Sequence, residues 1–277
     1  LSKPFLKWAG GKHYALSDII GFQPNASKRL VEPFVGSASV ALGVDIQDFL
    51  LCDINHDLIN LYHHLVENGN EFIEDCLKLF SLDTLNDATY YKFRDEFNTS
   101  TDLYRKSCLF VYLNRHCFNG LMRYNASGLF NTPVGKYKSV HFPEKQMMSF
   151  VNKLKNAEFM VSDFRNTFEK VVSGDFVYCD PPYVPLGKTT FTAYAKGGFS
   201  SQDQIDLADC CRKAADRGAV VVVSNHDTKE ARDLYSNSDS IYGLNVKRTI
   251  GGKGSVRGDV GEILVLYGVK TTGLFDD

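Results

Sequence analysis

Apolar positions near the start of the chain come in short runs. Leu30-Val31-Glu32-Pro33-Phe34 reads as a strand, followed by small residues and a helix from about Ser39, and Phe49-Leu50-Leu51-Cys52-Asp53 reads as a second strand. Strand, loop, helix, strand is how a doubly wound sheet begins. From 57 to 116 the spacing changes: Leu58, Leu61, Tyr62 and Leu65, then Phe72, Cys76 and Phe80, then Tyr90, Phe93 and Phe97, then Leu109, Tyr112 and Leu113. That period is helical, and nothing there reads as a strand. Residues 117–140 are broken by Asn119, Gly120, Asn125, Ser127, Gly128, Asn131, Pro133 and Gly135, which predicts an irregular hairpin. Strands and helices alternate again from about 146. Strands are expected at Phe159-Met160-Val161, Phe176-Val177-Tyr178, Val220 to Val223, 242–249 and 262–267. Helices are expected at about 202–217 and 228–235, with a loop over 183 to about 200. The sum is one α/β domain, residues 1–56 and 146–277, split by a helical, hairpin-bearing insertion over 57–145.

Composition narrows the class. The 277 residues are 44% hydrophobic and 23% charged, enough apolar surface for a sizeable core, so disorder is excluded as the main state. The longest aliphatic run, Ala219 to Val223, falls far short of the ~20 residues that span a bilayer. Residues 1–20 carry Lys3, Lys7 and Lys12 but no continuous apolar segment, so no secretory signal is expected. Cys52, Cys76, Cys108, Cys117, Cys179, Cys210 and Cys211 show no C-x-x-C spacing. That argues against a disulfide framework and a zinc site, and for a reducing cytosol with thiols used as small core residues.

Four segments carry candidate chemistry. Phe34-Val35-Gly36-Ser37-Ala38-Ser39 lies between strand and helix, where small residues let a ligand approach the backbone. It is not a G-x-G-x-x-G fingerprint, because Ala38 stands at the second glycine. Asp53 ends the second strand, where a carboxylate either accepts ribose hydroxyls or caps a helix starting near Asn55. Asp180-Pro181-Pro182-Tyr183 directly follows an apolar strand and is the sharpest signal. The prolines remove N–H donors and leave carbonyls to accept, Asp180 sits where open α/β sheets place ligands, and Tyr183 offers a ring face. Such a loop accepts hydrogen bonds from an amino group and stacks on its ring. Lys7-Trp8-Ala9-Gly10-Gly11-Lys12 fails the phosphate-loop spacing, and by itself fits a solvated basic terminus equally well.

Taken in order, F-L-K-W-A-G-G-K, V-E-P-F-V-G, C-D-I-N, L-N-R-x-x-x-N-G-L-x-R-Y-N, D-P-P-Y, F-T-A-Y and S-N-H-D resemble the Dam-type DNA adenine-N6 methyltransferases of the α group. The resemblance covers nearly the whole chain. It implies a Rossmann-like, S-adenosyl-L-methionine (SAM)-dependent methyltransferase fold: a mixed seven-stranded sheet, mostly parallel with one antiparallel late strand. The insertion would then be the target-recognition domain.

The resemblance also implies roles. Trp8 and Lys12 would border the methionine end of SAM, Phe34 and Gly36 would line the cofactor loop, and Asp53 would take the ribose hydroxyls. Asp163 would read the cofactor's adenine amino group, with Ile54 and Phe164 on the two faces of that ring. Asp180, Pro181, Pro182 and Tyr183 would be catalytic, with Asp180 also facing the cofactor, and S-adenosyl-L-homocysteine would be the product. Ala38 replaces a glycine common in the family, a change of one methyl.

The insertion carries an argument of its own. Between Leu103 and Lys145, Arg105, Lys106, Arg115, Arg123, Lys136, Lys138 and Lys145 face only Glu144, with Tyr104, Phe110, Tyr112, Phe118, Tyr124, Phe130 and Tyr137 interleaved. In a chain of net charge −2, such a patch suits phosphate contact and base readout. By resemblance, Arg123 and Lys7 would read guanines, Leu121 and Pro133 would make apolar base contacts, and Phe118 and Asn119 would fill the gap left by the flipped base. Phe118 stands where relatives often have Tyr. Arg94, Asn114, Arg115, Asn125 and Lys136 complete the expected DNA contacts, Lys136 replacing a family Arg.

The implied target is GATC in double-stranded DNA, with no metal, no membrane and no obligate protein partner. The implied state is a monomer, two copies on DNA being allowed, in the cytoplasm of a bacterial or phage-infected cell. The competing readings are a methyltransferase acting on RNA, and a DNA-binding relative that has lost catalysis.

Overall fold

The computed structural model describes residues 3–80, 86–184, 198–244 and 261–269. Seven strands form one sheet: β1 (Arg29–Glu32), β2 (Asp48–Asp53), β3 (Glu158–Val161), β4 (Asp175–Cys179), β5 (Val220–His226), β6 (Ser240–Leu244) and β7 (Glu262–Tyr267), in the order β3-β2-β1-β4-β5-β7-β6. β2 pairs parallel with β3 (Asp53 opposite Val161), β1 with β4 (Val31 opposite Val177), and β4 with β5 (Tyr178 opposite Val222). β7 runs antiparallel to β5 and β6, with Val223 opposite Val265. The sheet is therefore mixed, with one reversed strand near its late edge. β4 and β7 are buried at every residue, which is why Phe176 to Cys179 and Ile263 to Tyr267 read as unbroken apolar runs. β1 stops at Glu32, one residue before Pro33, which has no N–H to continue a ladder.

The chain order reverses between β1 and β4, the point where open α/β sheets leave a crevice at their carboxyl ends. Phe34 follows β1 and Asp180 follows β4.

Between β2 and β3 the chain is helical: α2 (His56–Phe80), α3 (Asp87–Thr99), α4 (Leu103–His116) and α5 (Glu144–Leu154). α3 and α4 start cleanly because Asn86 and Asp102 accept hydrogen bonds from Ala88 and Arg105 N–H groups. α2 kinks at Gly69, whose φ of 51° is closed to most other residues. After α4 the chain forms the irregular antiparallel hairpin, with isolated bridges joining Cys117 to Val134 and Tyr124 to Phe130.

One expected helix is absent. Residues 39–44 form turns rather than a helix, with i to i+4 bonds from Leu42 N–H to Ala38 O and Val44 N–H to Val40 O and a tighter bond from Gly43 N–H to Val40 O. β-branched Val40 and Val44 with Gly43 between them are a poor sequence for propagating a helix. The expected 242–249 strand is seen as β6, and its residues 245–249 lie outside the described residues, as do 185–197 of the expected loop and the Phe191 to Tyr194 motif.

Contacts gather into two compact units. The first comprises the described parts of Leu1–His13, Val35–Asp45 and Phe49–Val161, and the second those of Tyr14–Phe34, Ile46–Asp48 and Ser162–Asp277. The first has an aromatic core in which Tyr62 meets Phe5, Phe150 and Phe159 at centroid distances of 6.2, 4.7 and 5.5 Å. The second holds the helices α1 (Leu16–Gly21), α6 (Phe164–Glu169), α7 (Ser201–Asp216) and α8 (Lys229–Leu234). α7 opens with a capping box of Ser200 and Asp203. Among the described residues no helix is long and apolar enough to cross a membrane.

Candidate functional site

In the first unit, Asp53 ends β2 and holds both the Gly36 loop earlier in the chain and the turn that follows β2. Its Oδ2 accepts the Gly36 N–H at 3.1 Å and its Oδ1 the Asn55 N–H at 3.0 Å. Burial pushes the Asp53 carboxyl up, and the N–H groups of Asn55, Gly36 and Ile54 pull it back. The helix cap is supplied instead by Asn55, whose Oδ1 accepts the Leu58 N–H at 3.2 Å. Each Asp53 oxygen keeps lone-pair capacity for a further donor.

Gly36 has φ 46°, and a Cβ there would lie 2.8 Å from the Trp8 indole nitrogen. The loop therefore needs glycine for both its conformation and its contact with the chain's single tryptophan. The Tyr62 hydroxyl donates to the Gly36 carbonyl. Lys12 is buried and donates from Nζ to the Gly10 carbonyl at 2.6 Å. Ile54 is 68% exposed, an unusual place for a large aliphatic side chain.

The same unit carries most of the expected DNA contacts. Lys7 is held by Asn114: its N–H donates to Asn114 Oδ1 at 2.9 Å, and its carbonyl accepts from Asn114 Nδ2 at 2.7 Å. Asn114 Nδ2 also donates to the Gly120 carbonyl at 3.1 Å. A Cβ on Gly120 would fall 2.3 Å from Lys7 Cβ. The Lys7 ammonium donates to the Arg115 carbonyl at 2.9 Å and stands 3.9 Å from the centre of the Tyr137 ring. Burial, then the Arg115 charge, hold its pKa below the usual lysine value.

Asn114, expected among the phosphate contacts, is thus completely buried, and all its hydrogen bonds are internal. It positions Lys7. Arg115 is half-buried, reaching the carbonyls of Phe5 (3.5 Å) and His141 (3.3 Å). Arg94, on α3, lies 4.7 Å from the Tyr91 ring centre.

The hairpin presents the rest. Phe118 and Leu121 are 53% and 40% exposed. Asn119, Arg123, Asn125, Pro133 and Lys136 are exposed as well. Asn119 sits at φ 54°, the left-handed region that asparagine tolerates. Arg123 Nε donates to Asn131 Oδ1 at 2.8 Å. Asn125 Oδ1 accepts from the Ser127 and Leu129 N–H groups, each at 3.0 Å, and shapes the tip. The Pro133 carbonyl accepts the Phe118 N–H at 2.9 Å.

The structure trims the basic patch. Arg105 pairs with Glu96 at 2.6 Å and Lys106 with Asp57 at 2.7 Å, so neither offers a spare charge. Arg123, Lys136, Lys138 and Lys145 are exposed without an ion pair among the described residues. Of the interleaved aromatics, Phe110, Tyr112 and Phe130 are core, and only Phe118 is strongly exposed.

In the second unit, Asp180-Pro181-Pro182-Tyr183 leaves the end of β4. Asp180 is half-buried, Pro181 buried and Pro182 exposed. The Pro182 carbonyl, expected to stay free, accepts from Gln204 Nε2 at 2.7 Å. The Val184 N–H donates to Asn225 Oδ1 at 3.1 Å. The Tyr183 hydroxyl donates to Glu262 Oε2 at 3.1 Å, and its ring meets the His226 ring edge-on at 4.7 Å. Burial and then the nearby Asp180 charge raise the Tyr183 pKa, so its hydroxyl stays protonated. Gln204 and Glu262 were not legible as site residues, and Asn225, inside the S-N-H-D motif, had no role assigned to it. They lie on three separate elements, α7, β5 and β7, and only folding brings them to the loop.

Phe164, expected to face a cofactor ring, is 3% exposed. Phe34 stacks on it at 5.7 Å and the Arg165 guanidinium lies 4.4 Å from its centre. Phe34 and Phe199 are the partly exposed rings of this cluster, 5.7 Å apart, with Phe164 behind them. Asp163 caps α6, accepting the Arg165 N–H at 2.9 Å, and Arg165 also pairs with Asp203 and Asp206.

The comparisons with known proteins agree in kind. The D12 class N6 adenine-specific DNA methyltransferase family matches residues 8–250. A DNA adenine methylase of Serratia marcescens is 45% identical over 268 residues, covering 96% of this chain and 98% of that protein. DNA adenine methylases of Escherichia coli K12 (41% identical; 96% and 95% of the two chains) and Vibrio cholerae (42%; 96% of each) are similar over the same extent. With an Asp-Pro-Pro-Tyr loop at the sheet's switch point and full-length similarity of this degree, the chain belongs to the D12 class N6 adenine-specific DNA methyltransferases and is an adenine-specific DNA methyltransferase.

Proposed function

We propose that this enzyme methylates N6 of an adenine flipped out of duplex DNA, at GATC, with SAM as donor. The observation that carries the reading is the Asp180 to Tyr183 loop at the carboxyl end of β4, beside the β1/β4 reversal. A base inside a duplex cannot reach such a loop, so it must leave the stack, at a cost of roughly a few kcal/mol.

The chemistry of the donor set fits SAM. Asp53 would accept the ribose hydroxyls with the lone pairs that Gly36 and Asn55 leave over. Phe34 and Phe199 would present ring faces to the adenine, backed by Phe164, and Asp163 would accept from its amino group. Trp8 and Lys12 would border the methionine end, and exposed Ile54 would cover part of the ring. When bound, SAM supplies an electrophilic methyl on a sulfonium.

This chain's own residues prepare the acceptor. Adenine N6 is a poor nucleophile because its lone pair is shared with the ring. The Asp180 carboxylate and the Pro181 carbonyl accept its two hydrogens, which draws the nitrogen toward sp³ geometry and frees the lone pair. Tyr183 stacks on the flipped base. The rate comes from positioning and fixed electrostatics.

On the DNA side, Arg123 and Lys7 read guanine edges, Leu121 and Pro133 make apolar contacts, and Phe118 with Asn119 occupies the gap in the stack. Phe118 and Leu121 support this by being large apolar side chains left in water on one hairpin. Arg94, Arg115, Asn125 and Lys136 take phosphates, and residues 57–145 serve as the target-recognition domain.

The test is methyl transfer from labelled SAM to three short duplexes: one GATC site, the same site N6-methylated on both strands, and a scrambled site. Label on the first alone is expected. Label on the scrambled duplex too would discard the stringent readout and keep the chemistry. Label on none, with transfer to RNA or SAM binding alone, would replace the reading by one of its competitors. Asp180→Ala should abolish transfer in a protein that still folds.

A further inference from the structure

We propose that Gln204 and Asn225 are positioning residues, which grip the main chain on both sides of Tyr183 and hold the Asp180 to Tyr183 loop in the shape that methyl transfer requires. The inference rests on the reading of that loop as the acceptor site.

The loop cannot hold itself. Pro181 and Pro182 have no N–H, so neither can donate a main-chain hydrogen bond. The grip comes from outside. Gln204, in the first turns of α7, donates from Nε2 to the Pro182 carbonyl at 2.7 Å. Asn225, near the end of β5, accepts the Val184 N–H on Oδ1 at 3.1 Å, and the His226 N–H on the same oxygen at 2.9 Å. The residues gripped are those immediately before and after Tyr183.

The two amides are linked behind the loop. The Tyr235 hydroxyl lies 3.5 Å from both Asn225 Nδ2 and Gln204 Oε1. Gln204 is 4% exposed, and Asn225 and Tyr235 are fully buried. Burying an amide is costly unless its polar atoms are partnered, and an apolar side chain would fill the same space more cheaply. Here the buried amides serve a segment whose two prolines have no N–H to donate. Glu262 adds a third anchor at the Tyr183 hydroxyl.

The grip also selects the acceptors. With Gln204 on the Pro182 carbonyl, the carbonyl left to work beside Asp180 is that of Pro181. A loop released at either point would still bind DNA through the hairpin but would present N6 with misplaced acceptors.

The experiment uses the full chain, saturating SAM, and plasmid DNA lacking adenine methylation, so that the result does not depend on which sequence is the target. Gln204→Met and Asn225→Leu should each lower the single-turnover transfer rate by about 10- to 100-fold, as misplacement near 1 Å does. KM for DNA should stay within about 3-fold, the signature of an interaction needed in the transition state. Asn225→Asp keeps an acceptor for both N–H groups and should restore most of the rate lost in Asn225→Leu.

An unchanged rate in Gln204→Met overturns the proposal. So does an equal change in rate and KM, or an Asn225→Asp no faster than Asn225→Leu. Should Asn225→Leu fail to fold by thermal melting, Gln204→Met and Asn225→Asp still carry the test. If Asp180→Ala retains wild-type transfer, the reading of the loop falls first and the grip with it. If Asp180→Ala is inactive and the Gln204 and Asn225 variants are normal, the grip alone falls.

Discussion

Lys7 and Arg123 are both proposed to read a guanine edge, yet the fold treats them in opposite ways. Lys7 is half-buried, with its own N–H and carbonyl bonded to one buried amide, its Cβ against Gly120 and its ammonium over Tyr137. Arg123 stands exposed on the hairpin with one side-chain hydrogen bond, to Asn131. The ordering entropy of Lys7 is settled at folding, whereas on the proposed reading that of Arg123 would be settled when DNA binds. A preset reader is vulnerable to every residue around it. An exposed reader is vulnerable mainly to its own replacement.

The sharpest break in that contrast is Gly120→Ala. A Cβ there would meet Lys7 Cβ at 2.3 Å, on a residue with φ 68°. Strain from the left-handed backbone and overpacking together should cost about 2–5 kcal/mol of stability. Thermal melting should fall accordingly, and the surviving protein should lose discrimination at the base pair that Lys7 reads. An unchanged melting point would mean that Lys7 moves aside freely and is not preset.

Next in size is an acid effect confined to the Lys7 side. Burial, opposed by the bond to the Tyr112 carbonyl and aided by the Lys7 and Arg115 charges, lowers the His116 pKa to about 4. The folded state therefore favours neutral imidazole. Its contribution is complete above the unfolded value near 6.5 and is lost as pH falls toward about 4, a loss of order 3 kcal/mol. Chemical denaturation at stepped pH should show that fall, and His116→Asn, which keeps a donor for the Tyr112 carbonyl, should shrink it. An equal fall in the variant would assign the acid sensitivity elsewhere.

Arg123→Ala should leave melting within about 0.5 kcal/mol, as for an exposed side chain, while costing ~1–3 kcal/mol of discrimination at one base pair. Equal losses on cognate and altered duplexes would make Arg123 a phosphate contact instead. Smallest of all, Lys136→Ala should weaken binding evenly across sequences and reduce the slope of log affinity against log salt by about 0.9. A sequence-dependent loss would move Lys136 into the base-reading set.

Legibility followed the range of the interactions involved. β4 and β5 were plain because their residues are buried along their length. Asp53, Gly36 and the Asp180 to Tyr183 loop stood out as candidates because strand, small residue and carboxylate are neighbours in the chain. The basic patch was overcounted because its neutralising partners are distant: Asp57 lies 49 residues before Lys106 in the chain and pairs with it at 2.7 Å. Asn114, placed among the DNA contacts by resemblance, is buried and bonded to Lys7 and Gly120, partners that no local motif names. The helix expected from Ser39 failed for a local reason, in the β-branched residues and glycine that follow it.

The sequence by itself determined the class of the sheet, the family and the residues proposed to meet substrate, because these depend on runs of apolar residues and on motifs of a few adjacent positions. Only the tertiary structure decided which of those residues are held by buried partners and which stand exposed. Lys7 owes its setting to Asn114, 107 positions away, and the Asp180 loop to Gln204 and Asn225 on two other elements. A buried hydrogen bond is worth having only where its partner arrives, and the partner's arrival is a property of the packed chain, not of either residue alone.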